Sequence, residues 1–312
     1  MLIIFIFGNK NKFGMKKYYH LFSNGEDAHD FILGEEDYKA AMARIGVCVA
    51  ACGCEVVAFD IENTHMHILL YGTFEECNAF KARYRKLTML VVSKRADTND
   101  ATLNMEMYEI GNEDYLRSVA VYIAVQSTKN GRGVMFYDYP WSSGPLYFRS
   151  PNPDALWCLG KDGSYQKPRP LSELTYRERR RVLRTSEMSV PEAWMTSNGI
   201  LLPSNFVSIG RFENIFRTHN AFRCFCASGR DKDKAVQDAM AAVRGVSMEE
   251  DEARHHTAEF SKRLFGTEDV RSLDTGQRMT LARALRKEFH IGLTQIARRV
   301  HLPVEELRKY MQ

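Results

Sequence analysis

The stretch EVVAFDIENTHMHILLYG, residues 55–72, decides the fold, because a short polar turn separates two apolar segments inside it. Residues 55–61 and 65–71 each have the length and composition of a β-strand. Side chains alternate between the two faces of a strand, so His65 and His67 would point the same way. Two neutral imidazoles on one face are the beginning of a metal site, although the same spacing is also a frequent coincidence.

Further segments on both sides of this strand pair predict the element order β-α-β-β-α-β-α. The predicted strands are 16–22, 55–61, 65–71 and 103–110, and the predicted helices are 35–53, 73–96 and 112–131. Thr73 and Asn112 are suited to begin the second and third helices, and Gly53 and Gly131 to end the first and third. The order predicts an α+β domain, with an antiparallel-rich sheet and helices on one face of it.

Length and local composition predict two domains. Residues 15–148 hold the sheet and its helices, and residues 149–170, rich in Pro, Gly and Ser, are expected to form a linker. Residues 171–312 carry mainly helical signals. Residues 1–14 are expected to be an N-terminal extension, with Met15 as an alternative start.

Charge and cysteine content restrict the class of protein. Residues 15–150 contain 14 Lys and Arg against 18 Asp and Glu, whereas residues 151–312 contain 27 against 21. If the partner is a nucleic acid, the C-terminal half therefore supplies most of the nonspecific attraction. Seven irregularly spaced cysteines fit a reducing compartment, and the apolar residues 2–7 are too few to cross a membrane. The sequence predicts a cytoplasmic chain without a membrane partner.

The segment 277–312 predicts a helix-turn-helix. A long helix is followed by LTQIARRV, a tight turn and PVEELRKYM, with Thr294 expected to cap the first short helix and Pro303 to begin the second. The segment resembles the C-terminal DNA-binding domain of bacterial replication initiators, although an ordinary helical hairpin has the same pattern. In the first interpretation, duplex DNA is a partner of this region. The cations expected to contact its phosphates are Arg298, Arg299, Arg308 and Lys309.

A third metal ligand and a nucleophile can be sought on the helix predicted at 112–131. Tyr122 and Gln126 are four residues apart and would share a face of that helix. If the helix packs on the sheet, two imidazoles and an amide oxygen would form a site suited to Mn²⁺ or Mg²⁺. The Tyr122 hydroxyl would then lie beside a phosphate bound there.

Two segments carry a resemblance to a known family. YYHLFSNGEDAHDFILGEEDYKAAM and GCEVVAFDIENTHMHILL resemble the opening of the REP-associated tyrosine transposases, single-tyrosine members of the HUH endonuclease superfamily. YLRSVAVYIAVQSTKNGRGVMFYDYPWSS resembles the catalytic helix of that family and the phrase after it. The resemblance covers roughly residues 17 to 148. The family usually has Asn directly before the first histidine, where this chain has Thr64.

The resemblance implies an HUH, ferredoxin-like catalytic domain. It implies that His65, His67 and Gln126 hold Mg²⁺ or Mn²⁺ and that Tyr122 is the nucleophile. The implied reaction cleaves single-stranded DNA, in hairpin or repeat form, through a 5′-phosphotyrosine and leaves a 3′-hydroxyl for rejoining. The protein would then be associated with the nucleoid. The basic residues of the helix 73–96, expected to contact this DNA, are Lys81, Arg83, Arg85 and Lys86.

Two other functions stay open. One is a sequence-specific DNA-binding regulator with the same fold that does not cleave. The other is a metal hydrolase whose His-x-His motif ends a barrel strand, which needs further His and Asp ligands on later strands. The remaining histidines in helical context do not supply them; they are His219, His255, His256, His290 and His301. The sequence also leaves open whether the chain forms a homodimer.

Overall fold

The computed structural model describes residues 14–23, 31–93, 103–129, 135–185, 189–227, 233–237, 239–240, 250–289 and 291–310. These residues form two compact units, one within 1–232 and the other within 233–312. No helix in the described ranges combines the length and the apolar composition that crossing a membrane requires.

The first unit begins with the predicted order of strands and helices. Its elements up to residue 129 are β1 (Lys17–Ser23), α1 (Glu35–Cys52), β2 (Glu55–Ile61), β3 (Met66–Gly72), α2 (Phe74–Val92), β4 (Met105–Ile110), α3 (Glu113–Ala124) and α4 (Gln126–Lys129). Thr73 caps α2 in a capping box with Glu76, and the Asn112 side chain accepts from the Tyr115 amide at the start of α3. Gly53 ends α1 with a φ of 78°.

The four long strands form an antiparallel sheet in the order β2-β3-β1-β4. In this register His67 of β3 lies opposite Phe22 of β1 and Asp60 of β2. The chain is therefore an α+β protein with an open antiparallel sheet, not the barrel that the hydrolase interpretation requires.

Helices cover both faces of this sheet, so the prediction of helices on one face is wrong. Tyr19 of β1 contacts Phe74 of α2, whereas the next residue, His20, points the other way and contacts Tyr122 of α3. The helix α1 lies with α2, since the Tyr84 hydroxyl donates to the Ala41 carbonyl. The physical reason is that β2 and β3 are buried on both faces, and a sheet apolar on both faces needs two covering layers.

The helix predicted at 112–131 is interrupted. The helix α3 ends at Ala124, Val125 has the non-helical angles φ −108° and ψ 7°, and a separate single turn, α4, begins at Gln126. Tyr122 and Gln126 therefore do not share one continuous helix. The predicted end at Gly131 lies outside the described residues, as do residues 94–96 of the helix predicted at 73–96.

The segment predicted as a linker, 149–170, packs into the first unit. Trp157 is buried and its indole Nε1 donates to the Pro140 carbonyl at 2.8 Å. The Asn198 amide in turn donates to the Trp157 carbonyl. The compact unit thus continues beyond this segment. Its later elements are β5 (Arg169–Pro170), α5 (Tyr176–Leu183), β6 (Met195–Ser197), β7 (Ile200–Leu201), α6 (Ile209–Phe216) and α7 (His219–Ala227).

The second unit is helical. Its elements are α8 (Glu250–Phe265), α9 (Thr275–Phe289), α10 (Leu293–Val300) and α11 (Val304–Tyr310), and Leu281, Leu285, Ile296 and Leu307 are among its core residues. The turn between α10 and α11 begins at His301, which has a φ of 53°. The expected cap at Thr294 is wrong, because α10 begins at Leu293 with Gly292 as its cap residue.

Candidate functional site

The two histidines of the turn and strand lie on the sheet face that α3 covers. His67 is in β3 and fully buried, and His65 directly precedes β3 and is half-buried. Their ring centroids are 5.1 Å apart. The alternation of strand side chains therefore places both imidazoles in one site, as the spacing predicts.

The end of α3 brings Tyr122 and Gln126 to the same place. The Tyr122 ring centroid is 5.2 Å from that of His67, in an edge contact, and the Tyr122 side chain is 4% exposed. Nε2 of Gln126 lies 3.2 Å from Nε2 of His65. The structure thus gathers the four predicted residues, although the helix between Tyr122 and Gln126 is broken.

Each histidine is held through its Nδ1 atom. The Thr64 hydroxyl is 2.8 Å from Nδ1 of His65, and Nε2 of His20 is 3.1 Å from Nδ1 of His67. A partner at one ring nitrogen fixes the ring's orientation and tautomer. Both imidazoles would therefore bind a metal ion through Nε2.

His20 belongs to this site, and the sequence did not indicate it. Nδ1 of His20 is 2.8 Å from the Tyr108 hydroxyl, which is 2.6 Å from the Tyr115 hydroxyl. Burial raises the pKa of Tyr108 far above its usual value, and its hydrogen bond with Tyr115 raises it further. These tyrosines are therefore neutral hydrogen-bonding groups. The feature of the sequence that could have indicated His20 is the alternation of side chains in β1, which places His20 on the same face of the sheet as Phe22.

Two buried carboxylates lie in β2 and directly after it. Asp60 lies directly across from His67 in the β2–β3 pair and is fully buried, and Glu62 follows β2 and is 1% exposed. Paired residues of neighbouring strands project from the same face, so Asp60 lies beside His67. The sequence shows both acids two residues apart, but only the register connects Asp60 to the site.

The donor atoms fit a divalent cation. Within the described ranges no cluster of three or more His, Cys, Asp or Glu side chains could hold a metal ion, but a set of two His and one Gln is a different set of donors. Gln126 is 7% exposed, and its buried Oε1 atom has no hydrogen-bond partner among the described residues. A buried amide oxygen without a partner beside two imidazoles suits Mg²⁺ or Mn²⁺.

The basic residues of α2 lie on another side of the sheet. Arg85 and Lys86 are exposed, Lys81 and Arg83 are half-buried, and Nε of Arg85 donates to the Leu103 carbonyl at 2.9 Å. The helix α2 packs on the face of Tyr19, whereas His67 and Tyr122 occupy the opposite face. The structure therefore does not bring these four cations to the face that carries the candidate site.

The cations predicted in the second unit lie at the ends of its last two helices. Arg298 is exposed and Arg299 half-buried in the last turn of α10, and Lys309 is exposed in α11. The side chain of Arg308 lies outside the described part of the structure. Glu305 and Glu306 occupy the first turn of α11 and oppose phosphate binding there.

Comparison of the chain with protein-family models, with curated proteins and with solved structures finds no match. The function is therefore inferred from the geometry and chemistry of the site.

Proposed function

We propose that the protein is a metal-dependent endonuclease and transposase that cleaves and rejoins single-stranded DNA through a 5′-phosphotyrosine. The observation that carries this proposal is the contact of Tyr122 with His67, at 5.2 Å between ring centroids, in the same site as His65 and Gln126. A phenol, two imidazoles and an amide on one sheet face supply a nucleophile and a cation site together.

The topology supports an HUH, ferredoxin-like domain. The first six elements run β-α-β-β-α-β, and the strand order β2-β3-β1-β4 is the order of a ferredoxin-like sheet. In such a sheet the two central strands are β3 and β1, which here carry His67 and His20. The central position holds both rings on a backbone that neighbouring strands fix on each side.

His65, His67 and Gln126 would hold the divalent cation. When bound, the cation supplies a Lewis acid that polarises the phosphate and offsets the charge that develops on it. Thr64 and His20 orient the two imidazoles.

The chemical step uses the Tyr122 hydroxyl. Its oxygen attacks the phosphorus of a DNA phosphodiester and loses its proton to solvent. The bond from phosphorus to the 3′ oxygen breaks, and that oxygen takes up a proton to become the 3′-hydroxyl. Attack by a 3′-hydroxyl on the phosphotyrosine reverses the step, forms a new phosphodiester and regenerates the phenol.

The second unit supports a separate contact with duplex DNA. The helices α10 and α11 are joined by the three residues 301–303, the spacing of a helix-turn-helix. Exposed Arg298 and Lys309 would contact phosphates, so this unit would keep the protein near its target at the nucleoid.

Removing the Tyr122 hydroxyl tests the proposal. We expect Tyr122→Phe to abolish the covalent adduct between protein and labelled single-stranded hairpin DNA with Mn²⁺, seen as a shifted band in denaturing electrophoresis. The free energy of unfolding should change by less than about 1.5 kcal/mol, because the ring remains. Tyr84→Phe, a buried tyrosine on the opposite face, is the matched control and should form the adduct normally. An adduct that persists in Tyr122→Phe would show that Tyr122 is not the nucleophile.

A regulator that binds DNA without cleaving it is the second candidate. Burial favours it, because Tyr122 is 4% exposed and His67 is fully buried. A phosphate reaches these groups only after side chains at the site move. Hairpin binding without an adduct in the unaltered protein, at any concentration of Mn²⁺, would favour the regulator.

A further inference from the structure

A cleft of 800 Å³ lies beside the end of α3 in the first unit. Its lining comes from residues between 135 and 149, from the helix α7, and from Val125 and Thr128. In the sequence, Val125 directly precedes Gln126, and Thr128 follows it by two residues. The cleft is therefore lined by sequence neighbours of Gln126, the residue whose side chain contacts His65. The volume is that of a pocket for a small organic molecule or a nucleotide base.

Aromatic rings line this cleft, which we call the aromatic cleft. Phe148 is stacked on His219, at 5.4 Å between centroids, and on Phe222, at 5.7 Å. Phe222 is almost fully buried, whereas Phe148 and Tyr137 are half-buried and expose part of their rings. Partly exposed aromatic rings in a cleft are suited to stacking by a flat ligand.

The backbone at Phe148 is held in an uncommon conformation. Its φ is 57°, a value that bulky residues rarely adopt, and its amide donates to Oε1 of Glu213 at 2.6 Å. Glu213 thereby fixes the position of the Phe148 ring in the cleft wall. Residues held in this way cluster at ligand-binding sites.

The charges of the aromatic cleft are positive. Arg149 and Arg223 line it and are exposed, and the Arg149 guanidinium lies 5.5 Å from the centroid of the Tyr137 ring. Its described lining residues include no Asp or Glu. An apolar ligand would gain nothing from the two cations, and an acidic peptide would gain nothing from the stacked rings. A nucleotide uses both, because its base is flat and its phosphate is anionic.

We infer that the aromatic cleft binds an unpaired base of single-stranded DNA, with the adjoining phosphates on Arg149 and Arg223. The inference rests on the proposed function for its choice of ligand. Base stacking tolerates any sequence, because every base has an aromatic face. The cleft would therefore bind the DNA strand next to the cleavage site, and other contacts would determine the sequence specificity.

The test measures binding separately from cleavage. Full-length Tyr122→Phe protein without a divalent cation is titrated into labelled oligothymidylate, followed by fluorescence anisotropy. Adding Tyr137→Leu, which keeps an apolar side chain but removes the ring face, should weaken binding between about 5-fold and 100-fold. Adding Arg223→Ala should make binding less dependent on salt, by about 0.7 in the slope of log K against log salt concentration. Tyr176→Leu, an exposed tyrosine on α5, is the control and should bind unchanged.

An oligothymidylate series in which one abasic site is moved along the strand completes the test. At one position in the strand, the abasic site should weaken binding to the parent Tyr122→Phe protein. The same abasic site should have little effect on binding to the Tyr137→Leu protein, because that protein already lacks the ring on which the missing base would stack. Equal affinity of the parent and Tyr137→Leu proteins for intact oligothymidylate would overturn the inference. If abasic discrimination is present but no protein forms a covalent adduct, the base site stands and the nuclease proposal fails. If the adduct forms but Tyr137→Leu and abasic sites have no effect, the base site alone fails.

Discussion

Nε2 of Gln126 lies 3.2 Å from Nε2 of His65, although the regular helix that precedes Gln126 ends two residues earlier. When Nδ1 of His65 carries the proton and donates a hydrogen bond to the Thr64 hydroxyl, Nε2 of His65 is unprotonated and accepts a hydrogen bond from the Gln126 amide. The lone pair that accepts this hydrogen bond is the one that would bind a metal ion. A bound cation would therefore replace this hydrogen bond, and the Gln126 amide would have to turn for its Oε1 atom to serve as a ligand.

Changing the charge of residue 126 tests this exchange. We expect Gln126→Glu to bind Mn²⁺ at least about 10-fold more tightly than the parent, because a carboxylate is a stronger ligand for hard cations than an amide. Gln126→Ala should bind it about 10-fold more weakly, because a ligand is lost. Calorimetric titration with MnCl₂ measures both, and the solvent-facing Gln166→Ala is the control. Equal Mn²⁺ affinities in all four proteins would remove Gln126 from the ligand set.

His20 is expected to act as a positioning residue for His67. Its Nε2 atom is 3.1 Å from Nδ1 of His67, and loss of such a partner typically weakens metal binding by about 10- to 100-fold. We expect His20→Leu to show this loss of Mn²⁺ affinity. His20→Gln, which can still hydrogen-bond with His67, should recover part of it. If both variants unfold at the parent temperature and bind Mn²⁺ equally well, His20 only fills space.

The sequence predicted local features of the fold well. The limits of β2, the capping of α2 by Thr73 and the end of α1 at Gly53 follow from residues close together in the chain. The helices on both faces and the break at Val125 were missed, because they depend on packing between distant segments. The compact packing around Trp157 was missed for the same reason, since a segment rich in Pro and Gly can be buried when its backbone groups find partners.

The same distinction applies to the candidate site. The placement of His65 and His67 on one face follows from the alternation of side chains along β3 and the residue directly before it. His20 and Asp60 reach His67 from two other strands, and only the register determines which residues of those strands are its neighbours. Gln126 was predicted through an unbroken helix that does not exist, yet the turn after Val125 brings its side chain to His65.

Stability at low pH should depend on Glu55 in β2. Its carboxylate accepts from Nε and Nη2 of Arg211 at 2.9 and 2.8 Å and from the Ser208 hydroxyl. The bond from Arg211 is the largest cause of a lowered pKa for Glu55. A lowered pKa in the folded state means that the interaction stabilises fully above the ordinary pKa of Glu. The stabilisation is lost as the pH falls through the lowered value.

We therefore expect Glu55→Gln to reduce the free energy of unfolding by about 1 kcal/mol at neutral pH, a modest value because both side chains are about one-third exposed. The difference from the parent should shrink below the ordinary pKa of Glu. Urea unfolding at several pH values measures it. Glu109→Gln breaks a single exposed pair with Lys17 and should have a smaller effect. If Glu55→Gln lowers the free energy of unfolding by the same amount at acidic and at neutral pH, the effect arises from packing and not from the charge of Glu55.

The last prediction concerns the charges of α10 and α11 in the second unit. Arg298 and Lys309 are exposed, and Glu305 lies in the first turn of α11. If this unit binds the phosphates of duplex DNA, Arg298→Ala and Lys309→Ala should each lower the affinity and reduce the slope of log K against log salt concentration by about 0.9. Glu305→Gln should raise the affinity, because it removes a charge that repels phosphate.

Anisotropy titrations with a labelled duplex at several salt concentrations measure these slopes, with exposed Lys262→Ala on α8 as the control. The adduct with single-stranded DNA should form in every variant. Identical slopes in all variants would indicate that the second unit binds something other than duplex DNA.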